Sequence, residues 1–186
     1  MCGACGGGRS VPRWEDVLAP PTRGVLAARA SAAGRLLDSG SGLRVRAWLS
    51  AGYLVADRVG RTVHAADLDS LWRAVAERGA RPAGWRPLGG ARTTEFVEPY
   101  GDRDLTAAAV WCAAVARTEP AAELELTLPD PARSRVVRVT IESGTVRATA
   151  LDTPEPVTRV RIDGAGAAEA AHHLRARIPH TPGTRP

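Results

Sequence analysis

Residues 124–151 read LELTLPDPARSRVVRVTIESGTVRATAL, and this stretch leaves the chain little choice of architecture. In ELELTL the leucines at 124, 126 and 128 recur every second residue, so an extended backbone puts all three on one face. VVRVTIE and TVRATAL then flank Ser143 and Gly144, a pair suited to a two-residue hairpin loop that sets Thr140 opposite Arg147. Strands joined by so tight a turn run antiparallel. VTRVRI, a little further on, reads as a fourth strand of the same kind.

The first half of the chain repeats the theme with shorter strands. LRVRAW and YLVADRV lie either side of a turn from Leu49 to Gly52, and TVHA follows Val59 and Gly60, which together read as a meander. Helical spacing surrounds both groups. Thr22 caps a segment with Leu26, Ala30, Ala33 and Leu37 on one side and Gly40 to close it. Asp67 caps DLDSLWRAVAERG, whose Leu68, Leu71, Trp72, Val75 and Ala76 form an apolar stripe. A helix from about Leu105 to Arg117 stops before Pro120. A last one follows Asp163 as cap, with Ala167, Ala170, Ala171, Leu174 and Ile178 inward.

These patterns predict an α+β fold: antiparallel sheet or sheets with helices packed on one face, in two similar helix–strands–helix halves. The expected organisation is a flexible N-terminal segment (1–20), a first half (21–80), a Pro/Gly-rich connection (81–104) with a short strand near Thr94–Val97, a helix–four-strand–helix half (105–178) and a disordered tail (179–186).

No apolar run approaches the roughly 20 residues that cross a bilayer, and the start lacks a basic-then-apolar leader pattern, so a cytoplasmic protein with no membrane partner is expected. All 25 basic residues are arginine, and lysine, asparagine and glutamine are absent. That bias fits a GC-rich bacterial genome better than selection for guanidinium chemistry. Residues 1–50 are the distinctly basic quarter, which makes weak nucleic-acid binding an alternative function.

Cys2 and Cys5 form a C-x-x-C followed by glycine, the shape of a zinc knuckle. A structural zinc needs four ligands, and His64, Cys112, His172, His173 and His180 show no ligand spacing relative to one another. The expectation is therefore no cofactor, with zinc on Cys2 and Cys5 belonging to the nucleic-acid alternative. Met1-Cys2-Gly3 resembles the start of the class II glutamine amidotransferases, whose cysteine attacks a glutamine amide. That chemistry uses an asparagine to stabilise the oxyanion, and a chain without asparagine cannot supply it. Phosphate-cradling, nucleophile-elbow and H-E-x-x-H motifs are missing.

Two features remain. Arg138, Arg147, Arg159 and Arg161 alternate with buried residues, but Glu123, Glu125 and Glu142 share their parity, so cross-strand ion pairs account for them. In LRVRAW, if Leu43, Val45 and Ala47 face the helices, then Arg44, Arg46 and Trp48 face outward. Trp48 and Tyr53 bracket a turn, and Trp85 sits in the Pro/Gly connection. Aromatics beside arginines are favoured at protein interfaces. The sequence thus reads as a non-enzymatic binding or adaptor module that contacts another protein through Arg44, Arg46, Trp48, Tyr53 and Trp85, of undetermined oligomeric state.

Overall fold

The computed structural model describes residues 13–49, 52–83, 88–97, 105–117, 123–130, 135–152 and 159–177. In chain order its elements are α1 (Trp14–Leu18), α2 (Arg23–Leu36), β1 (Arg44–Ala47), β2 (Tyr53–Ala56), β3 (Thr62–Ala65), α3 (Leu68–Ala76), β4 (Thr93–Val97), α4 (Thr106–Val115), β5 (Leu124–Asp130), β6 (Arg135–Glu142), β7 (Thr145–Leu151), β8 (Arg159–Asp163) and α5 (Ala167–Arg177). The strands form two antiparallel sheets, one ordered β1-β2-β3 and one ordered β4-β8-β5-β6-β7. The expected α+β class is what the chain adopts.

Local chemistry explains most boundaries. Thr22 caps α2 by accepting from the Val25 amide at 3.2 Å. Asp67 and Ser70 form a capping box at α3, with the Ser70 amide donating to Asp67 Oδ1 at 2.7 Å and the Asp67 amide donating to Ser70 Oγ at 3.1 Å. Ser143 and Gly144 both take positive φ (44° and 82°), as a primed two-residue turn requires, and Thr140 pairs with Arg147. Leu124, Leu126 and Leu128 are all buried on one face, in register with Ile141, Val139 and Val137.

Several expectations are corrected. Helix α2 ends at Leu36, not near Gly40, because Leu37 turns extended and bridges to Pro82. Asp163 does not cap α5: it remains in β8, its carboxylate taken by the Thr93 hydroxyl (3.0 Å) and Arg161 Nε (2.8 Å), and the helix begins after Gly164 and Gly166. The Pro/Gly-rich connection does contain the short strand expected near Thr94–Val97. Its strand β4 is an edge of the five-stranded sheet, the Ala83 amide donates to Leu36 O (2.6 Å), and the Ala167 amide donates to Ala91 O (2.8 Å). Residues 13–19, placed by the sequence in a flexible segment, contain α1 and are tied into the core.

Both sheets feed one contiguous apolar cluster. At its centre lies α4, buried on every side except at Ala107, as its uninterrupted TAAAVWCAAV demands. Its alanines let α2 and α3 approach closely, and the Trp72 indole N–H donates to Val110 O at 3.1 Å. Five-residue α1 then joins the parts: Trp14 Nε1 donates to Asp69 of α3 (3.1 Å), Asp16 pairs with Arg29 of α2 (3.2 Å), and Arg135 of β6 donates to Val17 O (2.7 Å).

Candidate functional site

The three-stranded sheet has an inner face set by Val45, Tyr53, Val55 and Ala65, which pack into or against the core. Alternation therefore turns Arg44 and Arg46 of β1, Leu54 and Ala56 of β2, and Thr62 and His64 of β3 outward. The register makes this a grid: Arg44 beside Ala56 beside Thr62, then Arg46 beside Leu54 beside His64. Trp48 continues the first column, its amide donating to Gly52 O at 2.8 Å, and is 44% exposed. Gly52 leaves no side chain next to it.

One end of this face deepens into an open groove of about 770 Å³, whose walls include Arg44, Arg46, Leu54, Asp57 and Arg58. Arg58 is held there: its guanidinium donates to Gly40 O at 2.6 Å and its stem crosses Gly42, where a Cβ would lie 1.9 Å from Arg58 Nε. Gly42 has φ of 68°, so a glycine serves both the turn and the close approach. Asp57 is the carboxylate in the groove wall, and its Oδ1 already accepts from the Val59 and Arg61 amides. Arg44 and Arg46 enter no ion pair among the described residues.

The exposed large apolar side chains among the described residues, Trp48, Leu49, Val59 and Val63, all belong to this sheet and its turns. Leu49 is the most unusual of these. It is 70% exposed at φ of 49°, a conformation that a bulky residue adopts only at a cost, beside an outward tryptophan.

The outer face of the other sheet provides a contrast. There Arg138 pairs with Glu125 (3.2 Å), and Arg161 pairs with Glu95 (3.2 Å) and Asp163 (2.8 Å), while the exposed Arg147 enters no ion pair among the described residues.

Of the residues singled out in the sequence, the structure brings Arg44, Arg46 and Trp48 together and separates Tyr53 from them. Tyr53 is fully buried and cannot touch a partner; it shares the inward parity of Ala47, its partner in the register. Trp85, Cys2 and Cys5 lie outside the described residues. Among those described, no group of three or more His, Cys, Asp or Glu could hold a metal. Arg58 and Leu54 went unrecognised. The outward parity of Leu54 is readable from YLVA, whereas the placement of Arg58 over Gly42 comes from a contact between separate turns.

The other concentration of polar groups is internal. Arg29, fully buried, donates to Glu15 O (2.6 Å), Ala19 O (2.8 Å) and Asp16 Oδ1 (3.2 Å). Glu15, also fully buried, accepts from the Leu68 amide at the start of α3 (3.1 Å), and its second oxygen has no partner among the described residues. Burial pushes the Glu15 carboxyl up to about 7, against the opposing pull of that amide and of Arg29. Burial likewise raises the Tyr53 hydroxyl to about 12. These bonds run from Arg29 of α2 and the start of α3 to residues 15–19, and so hold α1 in place. Cys112 is buried in α4 and its thiol is pushed up to about 12, which leaves it inert as a nucleophile.

No protein-family model, curated protein or solved structure matches the chain.

Proposed function

We propose that this chain is a non-enzymatic binding module that contacts another protein through the outer face of β1–β3. The observation that carries the reading is the asymmetry between the two sheets. On one outer face Arg138 and Arg161 pair with carboxylates and no large apolar side chain is exposed among the described residues; on the other, Arg44 and Arg46 enter no ion pair among the described residues and lie beside an exposed Trp48 and a strained, exposed Leu49. Charge without a partner and apolar area without cover add nothing to folding, but both are used when a partner buries them. No described helix is long and apolar enough to cross a membrane, which is compatible with a partner met in water.

The test places a photo-crosslinking residue at position 46, or at position 147 on the five-stranded sheet, in the native host. A partner crosslinked at 46, identified and purified, is expected to bind the wild-type chain and to lose about ten-fold or more in affinity for Trp48→Ala. Because Trp48 stands outside the core, that variant should melt within about 3 °C of wild type. Absence of a crosslink at 46, equal crosslinking at 147, or a partner indifferent to Trp48→Ala overturns the reading.

A further inference from the structure

We infer that the occupant of this face is an extended acidic peptide segment, with carboxylates two residues apart and an apolar side chain two residues further on, lying along β1. The inference rests on the binding-module reading and specifies the partner's chemistry.

Arg44, Arg46 and Trp48 are at i, i+2 and i+4 with the same outward parity. In a strand such positions repeat at roughly 6.7 Å, and an extended peptide presents its own alternate side chains at the same pitch. A peptide of the pattern Glu-x-Glu-x-Leu therefore matches the guanidinium, guanidinium and indole in order, without distortion of either chain. Arg58 supplies a third cation at the groove end, pre-positioned by Gly40 O and Gly42, so little of its side-chain freedom is lost on binding. The floor between these groups is aliphatic, with Leu54 and Ala56 along β2.

This composition favours carboxylates on a peptide over the alternatives. A nucleic-acid platform lines its centre with aromatics on which successive bases stack, whereas here Leu54 and Ala56 occupy the middle strand, with Trp48 at a corner and His64 on the neighbouring strand. A second copy of this chain could offer its acidic hollow around Glu123, Glu125 and Glu142, but Glu125 is already engaged by Arg138 at 3.2 Å.

The probe is a fluorescein-labelled synthetic peptide repeating Glu-Val-Glu-Val-Leu, followed by anisotropy on the full chain. Binding in the micromolar range at low salt is expected, weakening as salt rises toward about 0.3 M. A peptide with Gln for Glu, and the double variant Arg44→Glu/Arg46→Glu, should each weaken binding at least about ten-fold, while Arg147→Glu on the other sheet leaves it unchanged. Trp48→Ala should weaken the peptide ending in Leu and have no further effect on one ending in Ser. Equal binding of the Gln peptide overturns the inference. So does tighter binding of a single-stranded oligonucleotide of equal charge, or self-association of the chain that Arg44→Glu/Arg46→Glu abolishes. If a crosslinked partner needs Trp48 but the acidic peptide does not bind, the peptide assignment falls and the interaction face stands. If the crosslinked partner ignores position 48, the face itself falls.

Discussion

Glu15 shows how a single side chain couples the fold to pH. Its carboxyl is buried with one oxygen on the Leu68 amide and the other unpaired among the described residues, and burial raises its pKa from 4.5 to about 7. Between those values the native chain holds a proton that the unfolded chain has released. The contribution of this group to stability is therefore full below the unfolded value and is lost as pH rises through the native one. A shift of this size is worth about 3 kcal/mol. Glu15→Gln keeps an acceptor for the Leu68 amide and has no charge to desolvate. Urea unfolding is expected to give similar midpoints for the two proteins near pH 4, and a higher midpoint for Glu15→Gln at about pH 8. Parallel pH profiles would contradict this assignment.

At the scale of the element, the small sheet depends on one close approach. Gly52 has φ of 128°, and a Cβ there would sit 2.3 Å from the Ala65 carbonyl oxygen. Neither problem can be relieved by rotating a side chain, because the obstacle is backbone of the neighbouring strand. Gly52→Ala is expected to cost more than about 2 kcal/mol in equilibrium unfolding. Gly60, in the β2–β3 turn, also has positive φ (83°) but nothing within 4 Å of a Cβ, so its alanine variant should lose only the smaller cost of the backbone conformation. Equal losses at the two glycines would mean that φ alone, not the β2–β3 contact, sets the cost.

For the whole molecule, the decisive arrangement is the central helix with α1 fastened beside it. Because α4 is buried against α1, α2 and α3, α1 also packs on β7, and both sheets share one apolar cluster, neither half keeps its core without the other. Calorimetry is expected to show one transition whose calorimetric and van't Hoff enthalpies agree; two resolved transitions would refute the shared core. Removing residues 1–19 takes away Glu15, Asp16 and Leu18, strands Arg29 without its acceptors, and should lower Tm by more than about 5 °C. Removing residues 1–10, which precede every contact described above, should leave Tm nearly unchanged.

Local pattern carried much of this fold. Period-two leucines, the Ser143-Gly144 turn and the Asp67 cap act within a few residues of themselves, so α+β class, antiparallel pairing and the shared face of Arg44, Arg46 and Trp48 were legible before any tertiary contact was known. What pattern could not reach are the interactions between residues far apart in the chain. Arg29 reads as one more arginine on an alanine-rich helix, yet three acceptors from residues 15–19 allow it to be fully buried. Residues 13–19 look like the end of a tail because their partners, Arg29, Leu68, Asp69 and Arg135, are spread over more than a hundred positions. Tyr53 stood in the candidate surface on its place beside a turn, and register with Ala47 took it into the core. Periodicity settles which side chains share a face, since that is a property of backbone geometry. Which face meets solvent, and which charges remain unpaired on it, is decided by what the rest of the chain brings against it.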